Sequence, residues 1–168
     1  WSTGKADFVM NRREFTDRGV KLGVNRDGHV DDVVPVLRID SPDGKLQGLV
    51  FGCACHNTTL TGKNLELCGD YAGFAQAAIE EQLPGVQAMF VIGCGGAANP
   101  YPRGTMEDAR RNGRSLGAEV VRVVSGEMQP VHGPLRVDLD HARLPLEAVS
   151  REKLEEMTID LVERTLNI

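Results

Sequence analysis

The chain has 168 residues, 41% of them hydrophobic and 26% charged, with 19 Lys/Arg against 24 Asp/Glu and a formal charge of −5. This reads as one α/β domain over residues 1–168, or as a segment of a larger one, with enough apolar content for a core. No block of like charge suggests a nucleic-acid arm, so a nucleic-acid partner is not expected, and no apolar run is long enough to cross a bilayer. Trp1-Ser2-Thr3-Gly4-Lys5 is neither a signal peptide nor a methionine start, which reads as a chain excised from something longer and leaves localisation open. Four cysteines are too few for a disulfide scaffold at this size.

In chain order, the first elements predicted are two apolar, β-branched runs, Val33–Ile39 and Leu46–Cys53, with Ser41-Pro42-Asp43-Gly44 supplying turn residues between them. They predict a β-hairpin. Tyr71, Phe74, Ala75, Ala78, Ile79 and Leu83 then fall on one face of a helix that Pro84-Gly85 stops and for which Asp70 is the natural N-cap. Gln87–Ile92 is a short apolar run, expected as a strand covered on both faces and parallel to the one before the helix. Thr105 with Asp108 resembles a capping box, opening a helix to about Val124 with Ala109, Gly113, Leu116, Val120 and Val123 inward. Leu135, Val137 and Leu139 alternate with charged residues and predict a half-exposed strand, whose register slips to Leu144 and Leu146 through a bulge near His141. Ser150 caps a last helix with a stripe of Leu154, Met157, Leu161 and Val162. The order β-β-α-β-α-β-α is that of an α/β fold, a mixed sheet covered by helices.

In such sheets ligands sit beyond the carboxyl ends of parallel strands, and both chemically loaded loops leave such ends. The first runs from Cys55-His56-Asn57-Thr58-Thr59 through Asn64 to Cys68-Gly69-Asp70. His56 is either a metal ligand or a hydrogen-bonded loop histidine. Cys53, Cys55, His56 and Cys68 contain zinc-type donors, but Cys53 and Cys55 would point the same way along a strand, and buried small side chains are the simpler role for these thiols. The second loop, Gly93-Cys94-Gly95-Gly96-Ala97-Ala98-Asn99-Pro100, lets backbone approach a ligand closely and matches neither the Walker nor the dinucleotide pattern. Cys94 is a candidate nucleophile, with an inert thiol as the alternative. Arg103, Arg110 and Arg111 bind a substrate anion or line a solvated helix face. His29, His132 and His141 have no partner spacing that suggests a site.

Taken together, Phe51–Thr59, Asn64, Gly69–Ala75 and Gly93–Pro100 resemble the neutral/alkaline non-lysosomal ceramidase family, in its divergent bacterial branch. The resemblance runs from about Asn11-Arg12-Arg13 through Val34–Arg38 to Leu144-Pro145-Leu146, most of this chain but a middle slice of a longer family protein. It implies a zinc amidohydrolase in which metal-bound water attacks the N-acyl amide of a ceramide or related lipid amide. On that resemblance His56 is a Zn²⁺ ligand, and the remaining ligands are expected outside this segment, from missing family segments or another chain. The family's Gly-Asp-x-Ser-Pro-Asn box falls on Gly96–Tyr101, with Ala97 at the Asp position and Asn99 at the Ser position. An Asn amide donates to an oxyanion or holds a water, which makes Asn99 a candidate catalytic residue beside Cys94. The chain is expected to be inactive in isolation, and a secreted or periplasmic location is implied by the family alone. The alternatives are a non-catalytic, ceramidase-like ligand-binding domain and a cysteine-dependent hydrolase using Cys94.

Overall fold

The two apolar runs at 33–39 and 46–53 do form a hairpin, β4 (Val33–Asp40) and β5 (Leu46–Cys53), closed by the Ser41–Lys45 turn, where Gly44 N–H donates to Ser41 O. The computed structural model describes residues 1–145 and 148–166, with side chains through Thr158. The chain divides into two compact units, Trp1–His132 and Gly133–Ile168.

In the first unit the element order is β1 (Ser2–Lys5), β2 (Val9–Thr16), β3 (Gly19–Asn25), β4, β5, α1 (Asp70–Gln82), β6 (Gln87–Ile92), β7 (Ala98–Pro100) and α2 (Met106–Val124). The strands make a four-stranded sheet, β1-β4-β5-β6, and a three-stranded one, β3-β2-β7. The fold is α/β, as expected. β5 and β6 run parallel in register from Gly48↔Gln87 to Cys53↔Ile92, so the loops that follow them leave neighbouring strand ends.

Alternation along β4, β5 and β6 sends Val34, Val36, Leu49, Phe51, Cys53 and Ala88 to one face, where they are buried against Tyr71, Ala72, Ala75 and Ile79 of α1 and Leu116, Val120, Val123 and Val124 of α2. The two helices approach closely because α2 presents Gly113: a Cβ there would lie 2.7 Å from Tyr71 O and 2.4 Å from Phe74 Cβ. The α2 N-terminus carries the expected capping box, with Asp108 N–H donating to Thr105 Oγ1 (3.0 Å) and Thr105 N–H to Asp108 Oδ2 (3.2 Å).

Four expectations are corrected. β6 is not covered on both faces: Met89 and Val91 are exposed, and with Val33, Pro35, Leu37 and Val50 they make the sheet face opposite the helices apolar and open, while Ile92 is exposed at the end of the strand. Asp70 is not the N-cap. Gly69 holds that position without a side-chain cap, and Asp70 is the first helical residue with φ +53°, its carboxylate turned instead to the preceding loop. Residues 135–140 form no strand, because alternation alone gives no partner for the backbone, and Leu135, Val137 and Leu139 are exposed. The proposed slip therefore has no strand to act on, and Leu146 lies outside the described residues. Finally, β1, β2, β3 and β7 are additional to the predicted order.

In the second unit, α3 (Arg151–Leu166) begins where predicted, with Lys153 N–H donating to Ser150 Oγ at 3.2 Å. The predicted stripe is described at Leu154 and Met157, both exposed, while the Leu161 and Val162 side chains lie outside the described residues. No helix among the described residues is long and apolar enough to cross a membrane.

Candidate functional site

The loop after β5 is anchored from below by buried groups. Tyr71, at the start of α1, is fully buried and donates its hydroxyl to Cys55 O at 2.7 Å, while its ring packs against Phe8 (4.9 Å between centroids) and Phe90 (5.9 Å). Burial pushes the Tyr71 hydroxyl and the Cys55 thiol far up, and the Cys53 thiol up to about 11, so all three stay neutral. Asp70 ties the next stretch: its carboxylate accepts Thr59 N–H (3.2 Å), Leu60 N–H (2.8 Å) and Tyr71 N–H (2.7 Å). A left-handed φ costs a non-glycine residue about 1–3 kcal/mol, and these three charge-assisted bonds hold it there.

The loop after β6 then lies directly on the first. Gly95 is the contact point, since a Cβ there would stand 2.9–3.0 Å from the Cys55 backbone. Gly93 N–H donates to Cys53 O (3.0 Å) and His56 N–H to Ala98 O (3.2 Å). The chain next enters β7, which pairs antiparallel with β2 through Asn11↔Ala98, Met10↔Asn99 and Val9↔Pro100. This pairing joins the two sheets' worth of loops at one edge. His56 is thus tied through its backbone to Ala98, next to Asn99, and the Thr58 hydroxyl lies 3.4 Å from the Asn99 amide group.

Asn99 is 8% exposed, and its amide is satisfied when the nitrogen donates to Ala98 O (3.3 Å) and the oxygen accepts from Arg103 Nη1 (3.0 Å). Two further arginines reach the same strip from β2. Arg12 Nε donates to Gly96 O at 3.1 Å and Arg13 Nη2 to the same oxygen at 3.3 Å, while Arg12 N–H donates to Ala97 O. Partial burial lowers the His56 pKa first, and the charges of Arg12, Arg103 and Arg13 lower it further, so the imidazole is neutral at pH 7. A neutral imidazole is the form that ligates a metal or accepts a proton.

The other predicted residues separate from this strip. Cys94 is exposed and, with Gly93, Ile92 and Trp1, lines a groove of about 420 Å³ on the open sheet face. Cys68 is exposed on the first loop, whereas Cys53 and Cys55 are buried. Arg110 lies over the Phe74 ring and Arg111 pairs with Asp108, so neither belongs to the strip. His29, His132 and His141 are exposed. Arg12 and Arg13 were not singled out as site residues in the sequence; the signal was an adjacent arginine pair in a mixed polar and apolar N-terminal stretch, and only the β2–β7 pairing gives it a place.

Among the described residues no three His, Cys, Asp or Glu side chains come together to hold a metal ion. A zinc site needs three or four such donors, and His56 is a lone imidazole among guanidinium charges that oppose a cation. The residues described here do not by themselves fit a zinc ion.

No protein-family model matches the chain, and no curated protein matches it. Two solved structures share its fold: neutral ceramidase from Pseudomonas aeruginosa, with a TM-score of 0.57, and a ceramidase complexed with C2, with a TM-score of 0.59. Each is 20% identical over 73% of this chain, and the chain spans 21% of the length of either. The chain has a ceramidase-like fold.

Proposed function

We propose that the chain is a segment of a ceramidase-like amide hydrolase and that the strip made by His56, Asn99 and Arg103 borders its reaction site. The observation that carries this reading is the stacking of the two loops through Gly95, which brings His56 and the Gly96–Asn99 strip to one edge of a ceramidase-like fold. His56 would be one ligand of a zinc ion whose other ligands come from outside the described residues. Zinc bound there would supply a nucleophilic water and polarise a carbonyl. The substrate is a lipid amide or a related small N-acyl amide.

The chain's own residues have definable parts. Thr58 and the His56–Ala98 backbone bond orient the first loop, and Asn99 holds Arg103 by its amide oxygen. Arg103 keeps its remaining N–H groups free to donate to an amide carbonyl or the oxyanion formed from it. In this arrangement Asn99 acts as a positioning residue for Arg103. Elemental analysis tests the reading: a longer polypeptide carrying this segment is expected to hold zinc that His56→Ala removes, while the 168-residue chain holds none. Absence of His56-dependent zinc from the longer polypeptide would contradict it.

A second reading, a ligand-binding domain without catalysis, is favoured by Ala97, which removes the family carboxylate, and by the want of a metal cluster among the described residues. It predicts ligand binding at the same strip with no hydrolysis and no zinc.

A further inference from the structure

The protein is acidic overall, yet three guanidinium groups converge on one four-residue strip. Arg12 and Arg13 donate to a single carbonyl oxygen, Gly96 O, and Arg103 donates to Asn99 three residues further on. All three partners are neutral. Among the described residues no carboxylate lies within ion-pair distance of any of the three, although six other ion pairs form, at Lys5, Lys21, Arg38, Arg111, Arg122 and Arg151. Asp70, the one buried carboxylate among the described residues, already accepts three backbone N–H groups. Mutual repulsion of three held cations is unfavourable, and each guanidinium retains several unused donors in a planar fork.

From this geometry we infer that the strip binds an oxyanion, so that the ligand of this site carries a phosphate, sulfate or carboxylate group. The inference rests on the reading of the loop pair as the ligand site, and it narrows the substrate class from neutral lipid amides to N-acyl amides with an anionic group beside the acyl linkage. The strip is a built site. Asn99, buried at 8% exposure, fixes Arg103, and the Gly96 carbonyl fixes Arg12 and Arg13, so the donors are oriented before any ligand arrives. Arg26 adds a fourth cation nearby, stacked over Tyr101 at 5.1 Å and donating to its hydroxyl.

The test is titration of the 168-residue chain with inorganic phosphate, sulfate and acetate at low ionic strength, followed by amide NMR shifts. Saturable shifts are expected at the Gly96, Ala97, Ala98 and Asn99 amides, and the tightest of the three anions identifies the group recognised. Arg13→Gln and Arg103→Gln each weaken binding by about fivefold or more, the effect of losing a charge-assisted hydrogen bond, while Arg18→Gln in the β2–β3 turn leaves it unchanged. Arg13 and Arg103 are exposed, so unchanged melting temperatures will show that the variants fold. No saturable shift with any anion, or a smaller loss in both variants, overturns the inference. Failure of the hydrolase reading is distinguishable: anion binding would persist in a protein that hydrolyses no acyl amide, whereas hydrolysis of neutral amides without anion binding would sink only the oxyanion site.

Discussion

Asp70 and the arginine strip are the two charged features of the same loop pair, and they are built in opposite ways. Asp70 is a buried anion whose oxygens are all occupied by N–H groups of its own chain, so its charge is consumed in holding the Thr59–Leu60 backbone against α1. Arg12, Arg13 and Arg103 are cations at the rim with only neutral partners and most donors open. A charge that folds the protein is satisfied by the protein. On the proposed oxyanion site, the open donors of the strip are matched by an anion the protein binds.

The contrast breaks most directly at Asp70. Asp70→Ala strips acceptors from three backbone N–H groups, two of them in a buried or half-buried loop, and is expected to cost about 3 kcal/mol in a urea melt. Next comes the contact between the loops: Gly95→Ala places a Cβ against the Cys55 backbone, which has no flexible end to yield, and is expected to cost about 2 kcal/mol. Tyr71→Phe keeps the aromatic packing and removes only the bond to Cys55 O, for about 1–2 kcal/mol. Thr105→Ala, which breaks the α2 capping box and removes no bond made by Asp70 or the three arginines, costs about 1 kcal/mol and gives the scale for a purely local loss. If Asp70→Ala proved no more costly than Thr105→Ala, the carboxylate would not be the anchor described.

The thiols sharpen the comparison without touching stability. At pH 8, iodoacetamide is expected to modify the exposed Cys68 and Cys94 and to spare Cys53, whose pKa of about 11 keeps it protonated, and Cys55, which burial keeps neutral as well. Mass spectrometry of the native chain reads this as two modified cysteines of four. Reactivity at Cys53 would mean that the floor of the first loop opens. For the cysteine-hydrolase alternative, Cys94 alkylation must also abolish activity; no hydrogen bond joins Cys94 to His56 among the described residues.

The elements legible in the sequence were those whose own periodicity states how they pack. The β4–β5 hairpin, α1, β6 and α2 each carry an apolar pattern and a turn or cap at the end, and the parallel β5–β6 pair follows from the intervening helix. The N-terminal strands were not legible, because Arg12-Arg13-Glu14 interrupts any alternation in β2 and a register shift falls between Asn11 and Arg13. β7 is three residues inside a Gly-rich loop and exists only by pairing with β2. Residues 135–140 show the converse, a strand-like pattern with no partner. The site divides the same way. His56 and Asn99 stand out in their own loops, whereas Arg12 and Arg13 reach Gly96 across more than eighty residues, a contact that only the assembled sheet creates.

The central claim is that His56 and the strip beside it border the reaction site of an amide hydrolase. The most direct measurement is fatty-acid release from an N-acyl amide by a longer polypeptide carrying this segment, compared with its His56→Ala and Arg103→Gln forms. The account predicts release that His56→Ala abolishes and Arg103→Gln lowers at least tenfold in kcat/KM, the scale of about 1.4 kcal/mol for a lost charge-assisted bond to the transition state. Release at the unmodified rate in His56→Ala would contradict it.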